Sequence, residues 1–179
     1  MQTPVRNLTL SALFIALGVL IPVLFHGLGL GSVFLPMFWP VAACPFFIPI
    51  SYAVAVGALT PFVSTLLTSM PPLSPPVLPM MVIELIVLAY VTGWFYKKTN
   101  LGIFWLILIG LIVSRVVNFF LAAALAPILG LPSIWVAIAS SVKGLPGMAV
   151  ILVCVPILIN RFKKVFIFKS RIKDVASAS

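Results

Sequence analysis

Three ionisable residues, Glu84, Arg115 and Lys143, lie within segments that otherwise contain almost only apolar side chains. Burying a charge near the middle of a bilayer costs about 2.5–3.5 kcal/mol on insertion scales, so such residues usually face a partner, a cavity or a ligand. Each of the three falls in a different predicted membrane helix. Together they indicate a binding site inside the membrane.

The three residues carry two positive charges and one negative charge. Glu84 and Arg115 could form a buried ion pair that only orients two helices, because charges inside membranes commonly pair with one another. Lys143 would then be unmatched, and a buried lysine must lose its proton, reach an interface or find an anion. Arg115 cannot deprotonate in a protein. The surplus positive charge predicts a ligand with a carboxylate or phosphate group.

The composition is that of an integral membrane protein. Of the 179 residues, 63% are hydrophobic and only 7% are charged, and the mean hydropathy is +1.32. A soluble domain needs charged residues at roughly a quarter of its positions to cover its surface. The net charge of +9 does not indicate nucleic-acid binding, because the basic residues form no patch with interleaved aromatics. Lipid must cover this chain.

Apolar runs of about 20 residues predict an all-α bundle of six membrane helices. They are expected near residues 8–26, 36–50, 52–68, 77–96, 101–126 and 133–160. Basic residues flank the predicted inner ends at Arg6, Lys97, Lys98 and Arg161. Since six crossings return the chain to its starting side, the positive-inside rule places both termini in the cytoplasm. Residues 1–160 would form one substrate-binding domain and residues 161–179 a basic cytoplasmic tail.

The second predicted span contains Pro36, Pro40, Pro45 and Pro49. Proline removes a backbone donor and interrupts helical hydrogen bonding. This span is therefore expected to be broken or partly re-entrant. Irregular backbone survives at membrane depth only where protein or water satisfies it, so the segment should pack inside the bundle.

Counting helix rise places the ionisable residues in the outer half of the membrane. Glu84 should lie roughly 10 Å, Arg115 roughly 16 Å and Lys143 roughly 15 Å from the outer helix ends. Asn118 follows Arg115 by three residues, and Ser140 precedes Lys143 by three, so each polar residue shares the helix face of its charged neighbour. The sequence thus predicts a polar site formed by the fourth to sixth helices beneath the outer surface.

Phe38 and Trp39 lie beside a glycine-containing outer loop. They could line the site, or they could belong to an interfacial aromatic belt. The single histidine, His26, offers neither a nucleophile–base pair nor a metal-ligand set, so no catalysis and no cofactor are expected. The chain has no nucleotide-binding glycine loop, so any ATP would be used by another protein.

Several stretches resemble a known transporter family. Ala12-Leu13-Phe14-Ile15-Ala16 places two small residues on one face of the first helix, where they allow a close helix approach. The other matching stretches are Phe34-Leu35-Pro36-Met37, Met70-Pro71-Pro72 and Lys143-Gly144-Leu145-Pro146-Gly147. With six predicted helices, the chain resembles the substrate-binding S component of an energy-coupling-factor (ECF) vitamin transporter. One departure is Phe38, because similar sequences often have histidine after Leu-Pro-Met.

The resemblance implies a six-helix bundle in a bacterial plasma membrane that captures a vitamin-like molecule from outside, with a pocket lined by its fourth to sixth helices. It also implies partners. Ala12 and Ala16 would dock onto a transmembrane coupling subunit that works with two cytoplasmic ATPases. The alternative is a small secondary transporter or channel that acts alone, although that usually requires more helices or an internal repeat.

Overall fold

The protein is helical throughout the part that a computed structural model describes, which comprises residues 4–27, 29, 31–71, 77–129 and 144–176. No strand occurs among these residues. The helices are α1 (Pro4–Gly27), α2 (Gly31–Phe34), α3 (Phe38–Ala43), α4 (Ile50–Thr68), α5 (Val77–Lys98), α6 (Ile103–Leu129) and α7 (Leu145–Ala176). Five of them, α1 and α4 to α7, contain apolar stretches long enough to cross a membrane. The chain is thus an all-α multi-pass membrane protein.

The long helices largely follow the predicted spans, and α7 departs most from its prediction. Its described part begins at Leu145, and residues 133–143 of the sixth predicted span lie outside the described residues. At the other end α7 continues to Ala176, through most of the predicted tail 161–179. Residues 161–176 contain no proline or glycine and are rich in Lys and Arg, which favour helix. The apolar stretch of α7 ends earlier, at Phe162.

The second predicted span is broken, as its prolines indicate, and residues 34–49 form this broken segment. α3 leads into a short 3-10 helix, Cys44–Phe46, and the chain then turns through Pro49 into α4. At the start of this segment the Phe34 ring lies 5.7 Å from the ring of Phe25, near the end of α1. At its other end the Phe46 ring lies 4.9 Å from the ring of Tyr96, near the end of α5. The broken segment therefore runs from the end of α1 to the end of α5.

The broken segment also forms the centre of the bundle. α3 contacts α1, α4, α5 and α7. Its buried apolar side chains pack against those of α5, α6 and α7, with Phe38, Val41, Leu85, Leu88, Leu111, Ile151 and Val155 among the most deeply buried. The expectation that irregular backbone packs inside the protein is thus confirmed. Large apolar side chains such as Leu24, Leu66 and Phe120 are exposed instead, on surfaces that lipid would cover.

α4 and α5 approach closely at Gly57. A β-carbon at this position would lie 2.8 Å from the main-chain oxygen of Leu85, which is closer than van der Waals contact. We expect Gly57→Ala to lower the thermal unfolding midpoint in detergent, because overpacking a tight interface costs about 1–3 kcal/mol. Gly27→Ala is the control, since its β-carbon would meet no atom within 4 Å. Equal midpoints for the two variants would contradict this close approach.

Candidate substrate site

Glu84 and Arg115 meet at the packed interface between α5 and α6. The Nε atom of Arg115 lies 3.2 Å from Oε1 of Glu84, and the two side chains are only 16% and 5% exposed, respectively. α5 and α6 pack along one another, so residues 84 and 115 come to the same level of the bundle. The ion pair that the sequence suggested for Glu84 and Arg115 is thus present in the structure.

The ion pair leaves polar atoms of both residues without hydrogen bonds. Arg115 Nε and Glu84 Oε1 are close enough for charge attraction, but they are not aligned as a hydrogen-bonded donor and acceptor. Arg115 Nη2 is buried and has no hydrogen-bond partner among the described residues. Buried polar groups are normally hydrogen-bonded, so each exception requires an explanation. The guanidinium group therefore retains donor capacity that Glu84 does not use.

Phe38 lies against the Arg115 guanidinium. The Cζ atom of Arg115 is 5.1 Å from the centroid of the Phe38 ring, within the range of a cation–π interaction. Phe38 is only 1% exposed. It reaches this position because the second span is broken and begins a new short helix, α3, at this residue. The sequence identified Phe38 as a candidate but gave no signal for its contact with Arg115.

Asn118 lies one turn beyond Arg115 on α6. Its Oδ1 atom is buried and has no hydrogen-bond partner among the described residues. Residues three apart share a helix face, so Asn118 extends the polar surface that begins at Arg115. The structure thus brings Glu84, Arg115 and Phe38 together and adds Asn118 on the same face.

The other predicted site residues are not seen in this cluster. The Trp39 indole N–H donates a 3.0 Å hydrogen bond to the Phe34 carbonyl, and its ring lies 5.7 Å from that of Phe25. These contacts connect Trp39 with α1 and α2. Lys143 and Ser140 lie outside the described residues, so their place in the site remains a prediction.

Ala12 and Ala16 lie far from this cluster in the chain, on the exposed side of α1. Leu8 and Leu20 continue the same i, i+4 row and are 66% and 60% exposed. The row is therefore an apolar stripe with two small residues at its centre. Small residues of this kind allow another helix to approach closely.

Thr92 is a polar residue of the α5–α6 interface that the sequence did not single out. Its side chain is fully buried, and Oγ1 has no hydrogen-bond partner among the described residues. It lies two turns from Glu84 on the same face of α5 and packs against Gly110 of α6. The sequence could have indicated Thr92, because its hydroxyl lies eight residues after Glu84 on the same predicted membrane helix.

The cluster offers hydrogen-bond donors and acceptors together with an aromatic ring. No group of three His, Cys, Asp or Glu side chains among the described residues could hold a metal ion. Such a cluster of charges, an aromatic ring and unused polar atoms within a helical membrane bundle can contact a small polar molecule.

The chain belongs to the family of ECF transporter substrate-specific components, which it matches over residues 6–159. The resemblance predicted from the sequence is therefore confirmed at the level of the family. No curated protein and no solved structure matches the chain. The matched range includes every residue of the cluster and the Ala12–Ala16 stripe.

Proposed function

We propose that this protein captures a vitamin or related micronutrient with an acidic group from the extracellular side of a bacterial plasma membrane. It then delivers the molecule inward together with a transmembrane coupling subunit and two cytoplasmic ATPases. Membership of the substrate-specific component family supports the general role. The observation that carries the acidic specificity is the buried Arg115 guanidinium, whose Nη2 atom has no partner among the described residues.

A ligand carboxylate would complete the hydrogen bonding of the Arg115 guanidinium. The guanidinium stays charged, and Glu84 lies at its Nε atom. Nη2 then requires an acceptor, and a carboxylate is the acceptor with which arginine forms its strongest hydrogen bonds. Such bonds gain strength in a site from which water is excluded. Lys143, if it reaches the same site, would add a second positive charge.

We further propose six membrane crossings with both termini in the cytoplasm. The broken segment supports this topology, because it leads from Phe25 at the end of α1 to Tyr96 at the end of α5. Together with the five continuous helices it gives an even number of crossings. Arg6 at the start of α1 and Lys97 and Lys98 at the end of α5 would then lie on the basic inner side.

The proposed capture role can be tested on the purified chain. A substrate-binding subunit should hold its ligand without ATP and without its partners. Isothermal titration calorimetry in detergent against a panel of vitamins should show saturable binding of at least one acidic member. A folded, monodisperse chain that binds no member of the panel would contradict the proposed role.

The exposed stripe of α1 is proposed as the docking surface for the coupling subunit. Ala12→Trp and Ala16→Trp should each reduce co-purification of the coupling subunit at least about tenfold, because a bulky side chain prevents close helix approach. Substrate binding by the purified chain should be unchanged. Ile157→Trp, at an exposed position of α7, is the control and should assemble normally. Loss of substrate binding with intact assembly would contradict this assignment.

A further inference from the structure

The unpartnered polar atoms of α6 have opposite requirements. Arg115 Nη2 is a donor and needs an acceptor, whereas Asn118 Oδ1 is an acceptor and needs a donor. Both atoms are buried, and neither has a hydrogen-bond partner among the described residues. A ligand that carried only an acidic group would satisfy Arg115 and leave Asn118 without a partner.

The spacing of the two residues limits how one molecule could satisfy both. Positions 115 and 118 share a face of α6 and lie about 4.5 Å apart along its axis. One small molecule whose acceptor and donor lie a few ångströms apart could therefore reach both side chains. A carboxylate and an N–H or O–H group separated by about two carbon atoms can span such a distance.

The charge of the site limits the charge of the ligand. Glu84 is the one acidic residue of α5 and Arg115 the one basic residue of α6, so the described pair is neutral. A monocarboxylate adds one negative charge beside this neutral pair. A phosphate monoester carries about 1.5–2 negative charges near neutral pH. It would therefore add more negative charge beside the Glu84 carboxylate than a monocarboxylate does, and like charges repel strongly at low dielectric.

We infer that the substrate is a monocarboxylate with an N–H or O–H donor close to its carboxylate, and that the site disfavours phosphate esters. Arg115 binds the carboxylate, Asn118 accepts the neighbouring donor, and Glu84 sets the limit on negative charge. This inference rests on the proposed function and narrows the chemical class of its substrate.

The inference can be tested with probes that differ in one group. Pantothenate has a carboxylate and an amide N–H separated by two methylenes, and 4′-phosphopantothenate adds a phosphate ester to the same molecule. Pantothenate with its primary amide, biotin with biotinamide, and nicotinate with nicotinamide each compare an acid with its amide. Pyridoxal 5′-phosphate is a phosphate ester without a carboxylate. All are titrated into the wild-type chain by calorimetry.

The tightest-binding probe is expected to be a carboxylate with a nearby donor. Its amide should bind about 10- to 100-fold more weakly, because a charge-assisted hydrogen bond is lost, and its phosphate ester should also bind more weakly. A phosphate ester or an amide that binds as tightly as its parent acid would overturn the inference and leave the proposed function intact. Absence of binding by every probe and by every acidic member of the vitamin panel would overturn the proposed function itself.

Two variants test the assigned roles. Asn118→Leu should weaken binding of the tightest probe about tenfold and should not affect its analogue in which the donor hydrogen is replaced by a methyl group. Glu84→Gln should reduce the preference for the carboxylate over its phosphate ester. The inference would be overturned if folded Glu84→Gln kept the full preference for the carboxylate over its phosphate ester. It would also be overturned if Asn118→Leu weakened binding of the tightest probe and of its methylated analogue equally. If either variant fails to fold, the wild-type comparison still decides.

Discussion

Replacing Arg115 with alanine is expected to abolish high-affinity substrate binding. The substitution removes the buried charged donor to which we assign the substrate carboxylate. Truncating one partner of a buried, hydrogen-bonded charge pair costs about 2–5 kcal/mol, which corresponds to a loss of about 30-fold to several thousand-fold in affinity. Titration calorimetry with the tightest-binding ligand measures this loss directly.

Two further variants show whether the loss of affinity depends on the shape of the arginine side chain or on its charge, and whether it is specific to position 115. Arg115→Lys keeps the positive charge but loses the planar fork, so affinity should fall less than in Arg115→Ala. Arg161→Ala removes an exposed arginine near the middle of α7, where its apolar stretch ends, and should bind normally. Wild-type affinity in Arg115→Ala would remove this residue from the substrate site.

Replacing Glu84 with leucine is expected to destabilise the protein strongly. The Glu84 side chain is only 5% exposed and lies 3.2 Å from Arg115, so its removal leaves a buried guanidinium without its counter-charge. Breaking a buried ion pair in this way costs about 3–5 kcal/mol. The thermal unfolding midpoint of the purified variant should therefore fall well below that of the wild type.

The double variant Glu84→Leu with Arg115→Leu is the matched control for stability. Replacing a buried ion pair by apolar residues of similar volume is often neutral or stabilising, so the unfolding midpoint should return close to that of the wild type. A double variant as unstable as Glu84→Leu alone would show that the loss arises from packing around position 84 and not from the unpaired charge.

The bundle could be predicted from the sequence largely because a bilayer demands long apolar helices. α1, α4, α5 and α6 each coincide with a predicted span. The break in the second span was also predictable, since Pro36, Pro40, Pro45 and Pro49 cannot all lie in one regular helix. The length of α7 could not be predicted, because hydropathy indicates where a span leaves the membrane and not where its helix ends.

The faces of the helices were harder to predict than their positions. In a membrane protein the lipid-facing side of a helix is as apolar as its core side. On α1, Val19 is 6% exposed and its neighbour Leu20 is 60% exposed, although both are aliphatic. The periodicity that identifies the buried side of a soluble helix is therefore absent here. The small residues Ala12 and Ala16 were informative only because of the family resemblance.

The charged residues of the cluster could be singled out from the sequence, whereas Phe38 could be named only as one of two aromatic candidates beside Trp39. Glu84 and Arg115 could be identified because charge within the bilayer is costly and needs a reason. Phe38 is one of 14 phenylalanines, and its contact with Arg115 depends on the direction of the chain after the broken second span. Trp39 differs from Phe38 by one position, yet its contacts are with α1 and α2. The direction of the chain after the broken second span is a property of tertiary structure.

Titration of the tightest-binding ligand into the double variant, beside the wild type, tests the central claim most directly. The variant removes Glu84 and Arg115 together and is expected to stay folded, so a loss of binding cannot be attributed to unfolding. We predict saturable binding to the wild type and a loss of at least about 30-fold in the double variant. Equal affinities in two folded proteins would contradict the claim that this pair holds the substrate.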